Sequence, residues 1–320
     1  MPPAFARLIG PLKPLLRWGI LGAVFLFLGK TLYDRAADVA ELTFTGETWG
    51  WLAASLGVTS LAHLWSGWVW SWILREFGQP APFFPVMQVY LQTNIAKYLP
   101  GNVWHFYGRI RAAHRWGMSW AGAAATVVLE PLLMAAAALL LGTIAAPQSN
   151  WWIQGAIAAA VLIGVHPKFL NPILKKLGRS KLKSSPTDAD TNPGEVPTQL
   201  TTAGMKRYPT LPFLGEGGFL LWRGAGFLCV VAAFDDAALV HWPQLLSGFG
   251  LAWLVGLVVP GAPGGVGVFE ATALGLLGRL VAPGALLAGV ACYRLVSVVA
   301  EAGLAAIAYI PVKSPKSPMG

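Results

Sequence analysis

Residues 245–259 form an unbroken apolar run that ends in Pro260-Gly261-Ala262-Pro263-Gly264-Gly265-Val266-Gly267, and the apolar pattern then resumes over 268–281. Proline lacks a backbone donor and glycine admits positive φ, so the chain must turn between the two runs. A second stretch has the same grammar. Residues 83–99 are largely apolar, break at Pro100-Gly101-Asn102, and continue as a more polar run to Arg115. Each stretch reads as helix, break, helix.

Composition sets the solvent around these hairpins. The 320 residues are 55% hydrophobic and only 12% charged, with a mean hydropathy of +0.58, whereas a soluble domain carries roughly 25% charged residues. A soluble enzyme, a disordered chain and a fibrous repeat are all excluded on these numbers. A polytopic membrane protein remains. Crossing the hydrocarbon layer takes about 20 mostly apolar helical residues, and six runs are candidates by that measure: 15–33, 49–74, 119–146, 151–165, 218–240 and 284–310, the first containing Lys30 and the fourth short, and many with Trp at their ends as interfacial anchors. Arg7, Lys13 and Arg17 before 18–29 imitate a signal peptide, but no small-x-small cleavage site follows and Lys30 can snorkel, so a retained helix is expected.

The fold class expected is therefore an all-α polytopic membrane protein of six transmembrane helices plus two re-entrant hairpins. The alternative lets 266–281 cross fully and lays 83–99 along the interface, giving eight helices. Loop charge sets orientation. Residues 34–48 carry Asp34, Asp38, Glu41 and Glu47 against Arg35 alone. By contrast Arg75, Lys97, Arg109, Arg111 and Arg115, and then Lys168 through Arg207, load the loops after the second and fourth runs with positive charge. Those loops and both termini are expected in the cytoplasm. Residues 1–310 then form one membrane domain, with a first half at 49–146, a second half at 218–310, a polar cytoplasmic linker at 166–217 and a cytoplasmic tail at 311–320.

With that orientation the first hairpin enters from the cytoplasm and the second from outside, so the halves match with inverted direction. Inverted repeats with broken helices are a recurrent plan of secondary transporters, which place the substrate near the midplane. Ionisable residues inside the membrane are expensive and by default functional. Glu130, followed by Pro131, is central in the third run; Arg294 is central in the sixth, and Glu301 is seven residues on, near the same helix face. Glu130 and Arg294 hold comparable positions after their breaks. They are expected to meet as an ion pair or to bind the two polarities of a headgroup, the alternative being a purely structural pair. Arg223 is set near the cytoplasmic end of its run, where it can snorkel.

The glycines after Pro260, namely Gly261, Gly264, Gly265 and Gly267, with Pro263, can form a phosphate nest or simply allow close packing, and Glu270 shares that ambiguity. Arg109, Arg111 and Arg115, with His105 and His114, form a basic patch that either contacts phosphate or is ordinary positive-inside charge. The candidate substrate-binding set is thus Glu130, Arg294, Arg109, Glu270, Asn102 and Glu301. The hairpin breaks are at Pro100, Gly101, Pro260, Gly261, Pro263, Gly264, Gly265 and Gly267. Cys229 and Cys292 lie in apolar stretches and the five histidines lack ligand spacing, so no metal site, cofactor or catalytic residue is expected. A net charge of +9 points to anionic lipid rather than nucleic acid in this setting.

From Pro260 through Glu270, and on to Arg294-Leu295, the sequence resembles the membrane domain of lysylphosphatidylglycerol synthases and its stand-alone flippase-like relatives. Leu99-Pro100-Gly101-Asn102, Arg109, Gly117 and Val127-Val128-Leu129-Glu130 resemble the family's earlier motif, which usually continues Glu-Arg where this chain has Pro131. The resemblance covers roughly 49–310. It implies a protein of the bacterial inner membrane that moves a charged or glycosylated lipid between leaflets. The full synthases add a soluble aminoacyl-transferring domain, for which this sequence has no room, so no enzyme is expected. Two other readings compete: a non-transporting partner of a separate synthetase or glycosyltransferase, and a membrane-embedded enzyme acting on a lipid headgroup.

Overall fold

The computed structural model describes residues 43–79, 82–99, 103–144, 151–174, 205, 207–259 and 263–310, and the isolated positions 26, 30, 33 and 40. These residues form ten α-helices and three short 3-10 turns, with no strand among them. The helices are α1 (Gly46–Glu76), α2 (Phe83–Asn94), α3 (Trp104–Arg115), α4 (Trp120–Ile144), α5 (Trp151–Gly164), α6 (Pro167–Leu174), α7 (Thr210–Phe234), α8 (Trp242–Val258), α9 (Val268–Leu277) and α10 (Pro283–Tyr309). The 3-10 turns are Ile95–Tyr98, Asp236–His241 and Pro263–Gly265.

Local chemistry sets the helix ends. Thr45 and Thr48 close a reciprocal capping box at the start of α1, with each side chain 3.3 Å from the other residue's backbone nitrogen. Gly78 at φ 76° ends the same helix, and its N–H donates to the Arg75 carbonyl. Pro243 and Pro283 stand in the first turns of α8 and α10, where the missing N–H costs nothing. Asp235 ties two starts together, its Oδ1 accepting from Ala238 N and its Oδ2 from Ala282 N.

Four helices or helix extensions are long and apolar enough to cross a membrane: 120–143, 210–234, 236–258 and 283–309. The bent pair α5 and α6, meeting at 60°, makes a fifth if counted as one span. Two expectations change. The arm 245–259 expected to dip and return belongs to Asp236–Val258, which is 23 residues long and suited to crossing, because the turn before α8 lengthens it. The run 218–240 is displaced: α7 begins at Thr210 and ends at Phe234, so the residues 210–217 assigned to the linker are helical. Helix propensity there was hidden by Pro212, Glu216 and two glycines. The run 49–74 lies within a helix of 31 residues, about 46 Å long, whose Ser, Thr and His content makes it less apolar than the four above. Of the expected first span, 15–33, only the helical positions 26, 30 and 33 are described, and the tail 311–320 lies outside the described residues.

Helices of the two halves interlock through small residues. Ser55 Oγ donates to Gly226 O at 2.8 Å and Trp65 Nε1 to Gly215 O at 2.8 Å, joining α1 to α7 along their length. Ser247 Oγ donates to Gly142 O at 2.5 Å, and a Cβ at Gly250 would stand 3.1 Å from Gly142 N and 3.2 Å from Ala138 O. Backbones of α4 and α8 thus touch, as lipid-embedded helices do where small residues permit. Gln88 and Gln92 donate to Ala308 O, fastening α2 to the end of α10.

Candidate functional site

The breaks place charged side chains where two long helices alone would not. Gly264, Gly265 and Gly267 all have positive φ, at 59°, 72° and 84°, a conformation glycine adopts without a Cβ penalty. The turn delivers Glu270 to the first turn of α9, where its Oε2 accepts from Gly267 N at 2.6 Å and favourably meets the helix dipole. Its Oε1 accepts from Arg294 Nε. Arg294 also donates to the Gly264 carbonyl at 3.1 Å, with Gly265 O at 3.5 Å. Of the two readings of these glycines, the phosphate nest is filled from within: the Gly264 and Gly265 carbonyls face a guanidinium, and the Gly267 amide already holds a carboxylate.

The first half builds a comparable pair with the charges exchanged. Arg109, on the helix after the first break, donates from Nη1 to Glu130 Oε2 at 2.6 Å. Tyr90 donates to Glu130 Oε1 at 2.8 Å and takes part in a 2.5 Å bond with Ser66 Oγ. The Arg109 guanidinium lies 3.8 Å from the Tyr90 ring centre and 5.8 Å from that of Trp70. The expected pairing of Glu130 with Arg294 does not form. Each has a nearer partner in its own half, delivered by the helix that follows the break.

A third pair crosses the halves. Lys97 Nζ donates to Glu301 Oε1 at 2.7 Å, and His63 Nε2 stands 3.1 Å from the same oxygen. Lys97, read as loop charge, is only 19% exposed. Arg223, expected to snorkel, is 2% exposed, because the earlier start of α7 moves it from the end of the helix to its middle. Arg223 Nη2 donates to Ser297 Oγ at 2.9 Å. Its guanidinium lies 4.9 Å from the Tyr293 ring centre and 5.1 Å from that of Trp253. Asn102, Pro100, Gly101, Pro260 and Gly261 lie outside the described residues.

These groups surround a cavity of about 360 Å³. Its walls include His63, Tyr90, Lys97, Arg109 and Glu130 from the first half and Arg223, Trp253, Tyr293 and Arg294 from the second, with Pro131 among the lining residues. That volume falls in the range of small-molecule pockets. The lining carries four cationic side chains but one carboxylate, since Glu270 and Glu301 bond to the cations without lining the space. Among the described residues no group of His, Cys, Asp and Glu is arranged to hold a metal ion.

No curated protein matches the chain. A family described as the lysylphosphatidylglycerol synthase TM region does match, over residues 15–303. The matched stretch takes in the first expected span, both breaks and every charged residue of the cavity. With the apolar helices and the cavity between the halves, this makes the chain an integral membrane protein related to lipid modification or transport, and it belongs to the lysylphosphatidylglycerol synthase transmembrane-region family.

Proposed function

We propose that the protein is a lipid transporter of the flippase or scramblase type, moving a charged or glycosylated lipid between leaflets. The observation that carries this reading is the cavity of about 360 Å³ into whose lining both halves of the chain contribute charged side chains. A headgroup cannot cross hydrocarbon without a polar path, because charge there is costly by at least a few kcal/mol. A cavity lined by guanidinium, ammonium and aromatic groups supplies that path, while acyl chains remain in lipid alongside apolar helix faces. Irregular backbone at membrane depth is tolerated where it lines such a cavity, and the Gly264-Gly265 turn does so.

The two halves act as an inverted repeat in a bacterial cytoplasmic membrane, with both termini in the cytoplasm, and transport runs down the gradient of the lipid itself. The partner is membrane lipid, and the protein is not an enzyme. Leaflet exchange in proteoliposomes tests the reading, using labelled phosphatidylglycerol, phosphatidylethanolamine and a glycolipid. Purified wild type should accelerate exchange of at least one of them over protein-free vesicles. Exchange at the protein-free rate for every headgroup, with folded protein present, would overturn it.

A further inference from the structure

Three of the four cations lining the cavity are already matched. Arg109 has Glu130, Arg294 has Glu270 and Lys97 has Glu301. Arg223 differs. Among the described residues no carboxylate comes within salt-bridge distance of it, its Nε has no hydrogen-bond partner, and its one firm bond is from Nη2 to the neutral Ser297 hydroxyl. The remaining neighbour, His63 Nε2 at 3.4 Å from Nη1, is closer to Glu301 Oε1, at 3.1 Å. A proton on that nitrogen directed at the carboxylate cannot leave a lone pair for the arginine.

A guanidinium has five donors. Arg223 therefore holds most of its donors without acceptors while it is 2% exposed, a costly state for a permanent cation. Its plane is held. Ser297 Oγ donates onward to Tyr293 O at 2.7 Å, Tyr293 Oη donates to Arg223 O at 3.1 Å, and Trp253 and Tyr293 flank the guanidinium. Glu216 is not the missing counter-charge: it does not line the cavity, and neither of its oxygens is hydrogen-bonded to Arg223.

We propose that Arg223, oriented by Ser297 and flanked by Trp253 and Tyr293, is an oxyanion-binding subsite of the cavity that takes the phosphodiester of a lipid headgroup. Two phosphate oxygens match the fork of a guanidinium, and the ligand supplies the bonded counter-charge that no described carboxylate provides. The inference rests on the transport reading for its lipid source only. The self-paired Arg109 and Arg294 then shape the walls, and the headgroup's anion is held between them by Arg223.

Native mass spectrometry of the purified full chain tests this with phosphatidylglycerol, diacylglycerol of the same acyl chains, and inorganic phosphate. Wild type should retain phosphatidylglycerol in preference to diacylglycerol, and inorganic phosphate should compete. Arg223→Gln should weaken phosphatidylglycerol retention about tenfold or more, the scale of one charge-assisted hydrogen bond, and Arg223→Lys should weaken it less, since it keeps charge but loses the fork. Circular dichroism establishes folding. If Arg223→Gln does not fold, Arg223→Lys and Ser297→Ala decide, and both should lower retention. Retention at the wild-type level in the folded variants overturns the subsite. Phosphate binding that depends on Arg223 but does not compete with phosphatidylglycerol overturns the lipid source and makes the ligand a soluble phosphate. Arg223-dependent lipid retention without leaflet exchange overturns the transport reading and leaves the subsite standing.

Discussion

Arg109 and Glu130 meet at 2.6 Å with side chains 3% and 6% exposed, and Glu270 and Arg294 repeat the pairing in the second half with the charges exchanged. In each half one partner sits on the short helix after a Pro-Gly break and the other on the long helix that follows it. A buried pair is weak evidence for net stability, but removing one member strands the other. Glu130→Gln should therefore cost about 3–5 kcal/mol, visible as a lower melting temperature in detergent. Replacing both residues, as Arg109→Met with Glu130→Leu, should recover most of that loss. A double variant no more stable than the single one would show that the pair's charges themselves hold the helices together.

The Lys97 pair should behave differently. Its lysine is 19% exposed, against 3% for Arg109, so an orphaned ammonium can reach solvent by its flexible stem. Glu301→Gln should cost less than Glu130→Gln by at least about 1 kcal/mol, since the desolvation penalty of the stranded charge falls with access to water. Parallel melting curves compare them, and equal losses would contradict the difference in access.

Close backbone approach gives a steric prediction. Gly250→Ala places a Cβ against Gly142 N and Ala138 O at 3.1 and 3.2 Å, and backbone cannot swing aside as a side chain would. The expected loss is about 1–3 kcal/mol. Gly57→Ala, which meets nothing within 4 Å, should be neutral or stabilising by up to about 1 kcal/mol, because glycine is entropically costly within a helix. Thermal unfolding of the two variants side by side would refute the α4–α8 contact if they matched.

The turn before α9 makes a conformational prediction. Gly267 has φ 84°, and Gly267→Ala should cost about 1–3 kcal/mol as backbone strain. Gly275→Ala, on the same helix with open space around it, serves as the comparison. Similar melting temperatures for both would argue against the positive φ.

Much of the fold was legible because breaks and apolar runs are local signals. Pro260 through Gly267 announced a turn, and α4 and α10 fell close to the runs read at 119–146 and 284–310. Arg223 was missed for a boundary reason: placing the start of α7 at 218 instead of 210 put a mid-helix arginine near the interface. Lys97 was missed because a cation beside a Pro-Gly break looks like loop charge, and only tertiary packing brings Glu301 to it. The partner choice of Glu130 was not legible for a related reason. Sequence spacing compared the halves with each other, whereas the breaks return Arg109 and Glu270 to the long helices within their own halves. Glu216 is fully buried with neither oxygen hydrogen-bonded; it looked like part of a polar linker.

On the proposed function, lipid headgroups pass through the cavity between the halves. Leu257 lines that cavity and is 38% exposed, so Leu257→Trp can add bulk there without forcing the buried core apart. The direct measurement is leaflet exchange of labelled phosphatidylglycerol in proteoliposomes containing equal amounts of folded wild type or Leu257→Trp. Wild type should accelerate exchange, and the variant should fall toward the protein-free rate. Equal acceleration by the two proteins would contradict passage through this cavity.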